Sequence, residues 1–105
     1  MASMVEEITK RYEDFLAIPF PAGHRTKTIG DKTLALYQSE MLGYVISYSN
    51  TNGALGSRQK VVLTKDFNDL KKALPEFSKE AQEYFQELLS IVEVVLHTAH
   101  DQPQL

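Results

Sequence analysis

Thr33-Leu-Ala-Leu-Tyr-Gln-Ser-Glu-Met-Leu-Gly-Tyr-Val-Ile-Ser-Tyr48 is the most apolar internal run of this 105-residue chain, and it reads two ways. Wound as a helix, it places Leu34, Tyr37, Met41, Tyr44, Val45 and Tyr48 within about 100° of one another, a continuous core stripe. Asp31 is then the expected N-cap. Split into strands, it becomes Thr33–Gln38 and Gly43–Ser49, the second alternating Tyr44, Ile46 and Tyr48 against Val45 and Ser47. The β-branched and aromatic residues of that second half favour a strand locally. The helix makes the chain a small all-α domain; the strands make it α+β with a β-hairpin.

Upstream, Ser3 and Glu6 have capping-box spacing at the start of a helix over residues 3–17. Met4, Val5, Ile8, Tyr12, Phe15 and Leu16 form its apolar stripe. Glu6–Lys10 and Glu7–Arg11 are i,i+4 pairs in the favourable order, each contributing about 0.3 kcal/mol. Pro19 and Pro21 stop this helix, because each lacks an N–H and drives the residue before it into extended backbone. The loop that follows, Ile18 to Gly30, is read as a cap on one end of the core through Ile18 and Phe20. A sharper reading makes Ile18 and Phe20, two large apolar groups on a rigid Pro frame, an exposed contact for a partner.

Downstream, Asn50 to Gly56 is a turn-rich break, with Asn50 or Asn52-Gly53 suited to end a helix in the left-handed region. Leu63, Phe67, Leu70 and Leu74 then repeat at four, three and four residues, which favours one helix over 57–74 opened by Ser57. Lys60, Lys65, Asp66, Asp69, Lys71 and Lys72 take its remaining faces. The rival reading makes Gln59–Thr64 a strand. Pro75 ends the element. Ser78 caps the last helix, 78–100, with Phe77 placed for a hydrophobic staple. Ala81, Tyr84, Phe85, Leu88, Leu89, Ile91, Val92, Val95 and Leu96 span about 160° of it, a face wide enough to need more than one neighbour. Residues 101–105 read as a polar tail.

Four helical segments (3–17, 31–49, 57–74, 78–100) joined by short Gly- or Pro-marked breaks point to a single domain over 1–105, an antiparallel four-helix bundle. The length suits one core. A hydrophobic fraction of 43% with 24% charged residues is that of a folded globular chain rather than a disordered one. The net charge of −3 provides no global field to attract nucleic acid. With no cysteine, disulfides and thiolate chemistry are excluded, and a reducing cytoplasm is the expected compartment. No basic region followed by an apolar run marks a signal peptide, and no run approaches the roughly 20 apolar residues of a membrane span.

One resemblance bears on the α+β alternative. Gly43-Tyr-Val-Ile-Ser-Tyr48 and Ser57-Arg-Gln-Lys-Val-Val-Leu-Thr64, followed by a helix, resemble the wing of winged-helix transcription regulators. The resemblance covers about a third of the chain and implies DNA binding, with Arg58 and Lys60 on phosphates. Pro19–Gly30 stands where that family has its helix-turn-helix, without two short amphipathic helices.

Chemistry is sparse. His97 and His100 lie three apart with Glu93 a turn earlier, a spacing that can present two imidazoles and a carboxylate to a metal. All three fall on the polar face, where histidines favourably meet the helix C-terminal dipole and Glu93 can pair with His97. Gly53-Ala-Leu-Gly-Ser-Arg-Gln-Lys60 holds the minimum for an anion nest but lacks the phosphate-loop pattern. Residues 57–74 carry five Lys or Arg against two Asp, whereas 78–100 carry one Lys against four Glu, so neighbouring helices can attract along their rims. No nucleophile elbow or paired carboxylates mark an active site. The expectation is a cytoplasmic helical protein-interaction module without catalysis or cofactor, binding a protein partner or itself as a homodimer. A winged-helix DNA-binding regulator and a metal- or ligand-binding bundle using His97 and His100 are the alternatives. On the pivotal helix Ala35, Leu36, Leu42 and Ile46 make a second apolar sector, so Leu36, Leu42 and Ile46, with Phe20, are the candidate interface residues.

Overall fold

In the computed structural model, which describes residues 3–101, the chain is mostly helical. Helix α1 spans Met4–Leu16, α2 Leu34–Asn50, α3 Ser57–Ala73 and α4 Lys79–Thr98; a 3-10 turn, Leu74–Glu76, joins the last two. Two-residue strands flank them: β1 (Thr28–Ile29) pairs antiparallel with β2 (Lys32–Thr33), and β3 (Ala54–Leu55) pairs parallel with β4 (His100–Asp101).

The pivotal stretch is a helix, and its strand reading falls. Leu34, Tyr37, Met41, Val45 and Tyr48 are buried along one stripe and Tyr44 is half-buried beside it. The tertiary environment outweighs local β propensity because only the helical period of 3.6 puts all of these residues on one side. Residues 59–64 are likewise inside α3, so every residue set that resembled a wing is helical apart from the loop between its halves.

The N-cap of α2 is Thr33 rather than Asp31. Thr33 Oγ1 accepts the Leu36 N–H at 3.2 Å. Gly30, at φ +65°, takes the first of the two turn positions between Ile29 and Lys32, closing a tight hairpin that delays helix entry past Asp31. At its far end α2 finishes in a Schellman arrangement. Asn52 is left-handed at φ 53°, the Gly53 N–H reaches Tyr48 O at 2.8 Å, and the Asn52 N–H reaches Ser49 O at 3.4 Å.

The other caps are as simple. Ser3 Oγ accepts the Glu6 N–H at 3.1 Å, and Ser78 Oγ accepts the Ala81 N–H at 3.2 Å with Phe77 buried next to it. Helix α3 is capped at Gly56, not Ser57: the Gln59 side chain reaches back to accept the Gly56 N–H at 2.8 Å. The expected α1 pair Glu7–Arg11 is replaced by a longer-range one, in which Arg11 reaches α4 and bonds Glu87 at 3.1 Å and Ser90 at 2.8 Å. Glu6–Lys10 is not among the ion pairs of the described residues.

Helix α4 carries the largest share of the core. It contributes Ala81, Tyr84, Phe85, Leu88, Leu89, Ile91, Val92 and Val95 to the core and packs on α1, α2 and α3. Ile8 and Phe15 come from α1 and Leu63, Leu70 and Ala73 from α3; Phe67 is only half-buried. At one end, Phe20 sits 5.4 Å from Tyr84 and 5.8 Å from Phe85 between ring centroids. Edge-to-face contacts of this kind contribute about 0.5–1.5 kcal/mol beyond area burial.

Candidate functional site

The chain's most unusual chemistry lies between β2, α2 and α3. Asp66 is 1% exposed, a charged residue inside the core, although its sequence neighbours place it among the solvated positions of α3. Lys32, at the end of the hairpin, donates to Asp66 Oδ1 at 2.7 Å and to Glu40 Oε2 at 2.9 Å, and its ammonium lies 4.2 Å from the Tyr37 ring centre. Around this core, the Tyr37 hydroxyl donates to Asp69 Oδ2 at 3.2 Å and Lys65 donates to the same oxygen at 2.8 Å.

Two carboxyls share one ammonium, so their titrations separate. Burial and the Glu40 carboxyl push Asp66 up to about 6, against the pull of Lys32. The hydrogen bond to Asp66 holds Glu40 below the usual carboxylate range despite its burial, and Lys32 adds to that effect. Burial opposes the charge on Lys32, but its bonds to Asp66 and Glu40 win and raise it above the ordinary lysine value. Asp66 Oδ2 has no hydrogen-bond partner. A proton there would convert a lone acceptor into a donor toward Glu40, which adds to burial, the larger cause, in raising the value. A carboxyl titrating near neutrality can serve in proton transfer. Three grooves on the surface of the described residues are lined by other side chains, and neither it nor Lys32 or Glu40 is among them.

The candidate interface residues do not gather at one place. Phe20 is built into the aromatic cluster, and Leu42 is 7% exposed and part of the core. Leu36 and Ile46 remain 46% and 38% exposed. The exposed residues of α2 are Leu36, Ser39, Gly43, Ile46 and Asn50, which follow one another at three, four, three and four residues. That is the narrow seam of a helix that meets one other helix. None of the five is charged. The only charged residue of α2, Glu40, is bonded to Lys32. Every other helix carries several charges on its exposed positions.

The proposed metal ligands are dispersed. His97 Nδ1 contacts Glu93 O at 2.9 Å, so the backbone rather than the Glu93 side chain holds it. His100 leaves the helix, joins β4, and lies with Nε2 3.3 Å from Asn52 O. No group of three or more metal-ligating side chains converges among the described residues. The anion nest is filled from within, since Gln59 takes the Gly56 N–H and Lys60 pairs with Asp101 at 3.0 Å. Searches against protein-family models, curated proteins and solved structures found no match to this chain.

Proposed function

We propose that this protein is a small non-catalytic interaction module of the cytoplasm, an antiparallel four-helix bundle that pairs with a second copy of itself through α2. The observation that carries the reading is the uncharged seam Leu36–Ser39–Gly43–Ile46–Asn50. Any exposed helix face repeats at three and four residues; what sets this one apart is that none of its five residues is charged, whereas the exposed faces of the other helices are. Leu36 and Ile46 supply apolar contact, while Ser39 and Gly43 allow two backbones to approach closely. A Cβ added at Gly43 would meet nothing within 4 Å in the single chain, so no internal packing calls for glycine there. Glycine inside a helix costs about 1 kcal/mol relative to alanine. Close approach of a partner helix gives that residue a purpose. The absence of any helix long and apolar enough to cross a membrane among the described residues, and of cysteine, fits the compartment.

Sedimentation velocity across a concentration series tests this. The wild type should dimerise by about 100 µM, a modest affinity for a single-helix seam. Ile46→Glu should be monomeric with an unchanged helical spectrum, since Ile46 is exposed in the single chain. Gly43→Leu should do the same by blocking the crossing. A wild type that stays monomeric throughout the series removes the reading.

A further inference from the structure

A second surface lies where the Ile18–Pro21 segment packs on α4, through Phe20 against Tyr84 and Phe85. Two grooves adjoin here and share Ile18, Pro19 and Tyr84 as their floor. The first, about 370 Å³, is completed by Pro21, Glu80 and Glu83. The second, about 230 Å³, runs past Leu16 and Phe20 to Arg25 and Gln38. The first groove is mainly apolar and the second mainly polar. Ile18 in the shared floor is 44% exposed and Leu16 beside it 54%, while Tyr84 is buried.

Charge is sorted along this trough. Glu80 and Glu83, one turn apart on α4, stand at one end, and Arg25 stands at the other. Among the described residues none of the three has an ion-pair partner, although Lys79 is adjacent in sequence to Glu80 and four residues before Glu83. Arg25 is held by stacking on Phe20, with its guanidinium carbon 4.7 Å from the ring centre, so its donors stay free in a fixed place. The Gln38 amide is also fixed, donating to the Tyr84 hydroxyl at 3.1 Å. Pro19 and Pro21 stiffen the ridge between the grooves, which lowers the ordering entropy of any contact made on it.

We infer that this trough is a docking site for an extended peptide segment of another protein, with one or two aliphatic residues flanked by a basic side chain and an acidic one. The aliphatic residues lie on Ile18, Pro19 and Tyr84. The basic side chain meets Glu80 and Glu83, and the acidic one meets the Arg25 fork, which suits a carboxylate bidentately. A uniformly basic or uniformly acidic segment satisfies only one end.

The test uses three fluorescein-labelled octapeptides, each with two central leucines, flanked by one lysine and one glutamate, by two lysines, or by two glutamates. Fluorescence polarisation on the Ile46→Glu background keeps α2 pairing out of the measurement. The mixed peptide should bind tightest. Glu80→Gln/Glu83→Gln should weaken the mixed and lysine peptides about fivefold and leave the glutamate peptide unchanged. Arg25→Gln should weaken the mixed and glutamate peptides and spare the lysine one. Ile18→Ser should weaken all three. All four altered side chains sit on exposed positions, and circular dichroism checks that the fold survives. No binding of the mixed peptide up to about 1 mM, or equal binding by every variant, overturns the site. Self-association of the Ile46→Glu protein abolished by Glu80→Gln/Glu83→Gln overturns the peptide occupant in favour of a second copy.

Discussion

Lowering the pH from 7.5 to 5 should make this protein more stable, and Asp66 should be the reason. Its carboxyl is raised from 3.8 in the unfolded chain to about 6 in the folded one. A group raised on folding contributes stability that is complete below its unfolded value and is lost as the pH climbs through its folded value. Linkage over this window gives about 1.4 kcal/mol more stability at pH 5 than at pH 7.5. For a domain of this size that is about 5–10 °C in melting temperature. Glu40 acts in the opposite sense, since its carboxyl is held low and its contribution is lost only as the pH falls through that value. Asp69, held low by its bond to Lys65, behaves likewise. Lys32 is raised, so its contribution is lost only on the alkaline side, outside the window. Stability should therefore peak near pH 5 and decline on both sides. Asp66→Asn retains the shape, removes the titration and should flatten the slope between pH 5 and 7.5. Thermal melts of both proteins across the range decide it. A wild-type melting temperature that falls on acidification from 7.5 to 5, or a slope that persists in Asp66→Asn, refutes the shared-proton account of the cluster.

Two packing predictions complete the set. Gly53→Ala should lower stability by about 1–2 kcal/mol in urea unfolding, because φ is +94° there and an added Cβ would lie 3.3 Å from Val5 Cγ2. Tyr48→Phe should cost about 1 kcal/mol with an unchanged urea slope. The Thr98 hydroxyl donates to Val94 O at 2.7 Å, so in its 2.7 Å bond with Tyr48 the tyrosine is the donor that is lost.

The helices were legible because their apolar residues recur with one period. Leu34 to Tyr48 and Ala81 to Val95 each define a stripe that no strand register reproduces. Boundaries were less legible where a tertiary contact sets them. Thr33 displaced Asp31 because a hairpin precedes α2, and His100 left α4 because Ala54–Leu55 offers it a strand partner. The charge cluster was hidden for a different reason. Asp66 falls between Leu70 and Ala73 on the wheel, both buried, and only the distant Lys32 explains how a carboxylate is tolerated there. Pairings 34 residues apart leave no periodic trace. Leu36 and Leu42 looked equivalent in the apolar pattern; α2's contact with α1 and the core separates one from the other.

The packing of α4 against α1 bears on how quickly the chain can fold. Most helical domains of this length fold fast because successive helices meet as they form. Successive helices meet here too, α1 on α2, α2 on α3 and α3 on α4, but α4 also packs back on α1, through partners 76 residues apart in Arg11 and Glu87. Closing so long a loop is entropically expensive before any other contact rewards it. The closing of α1 on α4 is thus the slow contact to make, and a substitution in Leu88 or Ile91, both buried in α4, should slow folding as well as hasten unfolding.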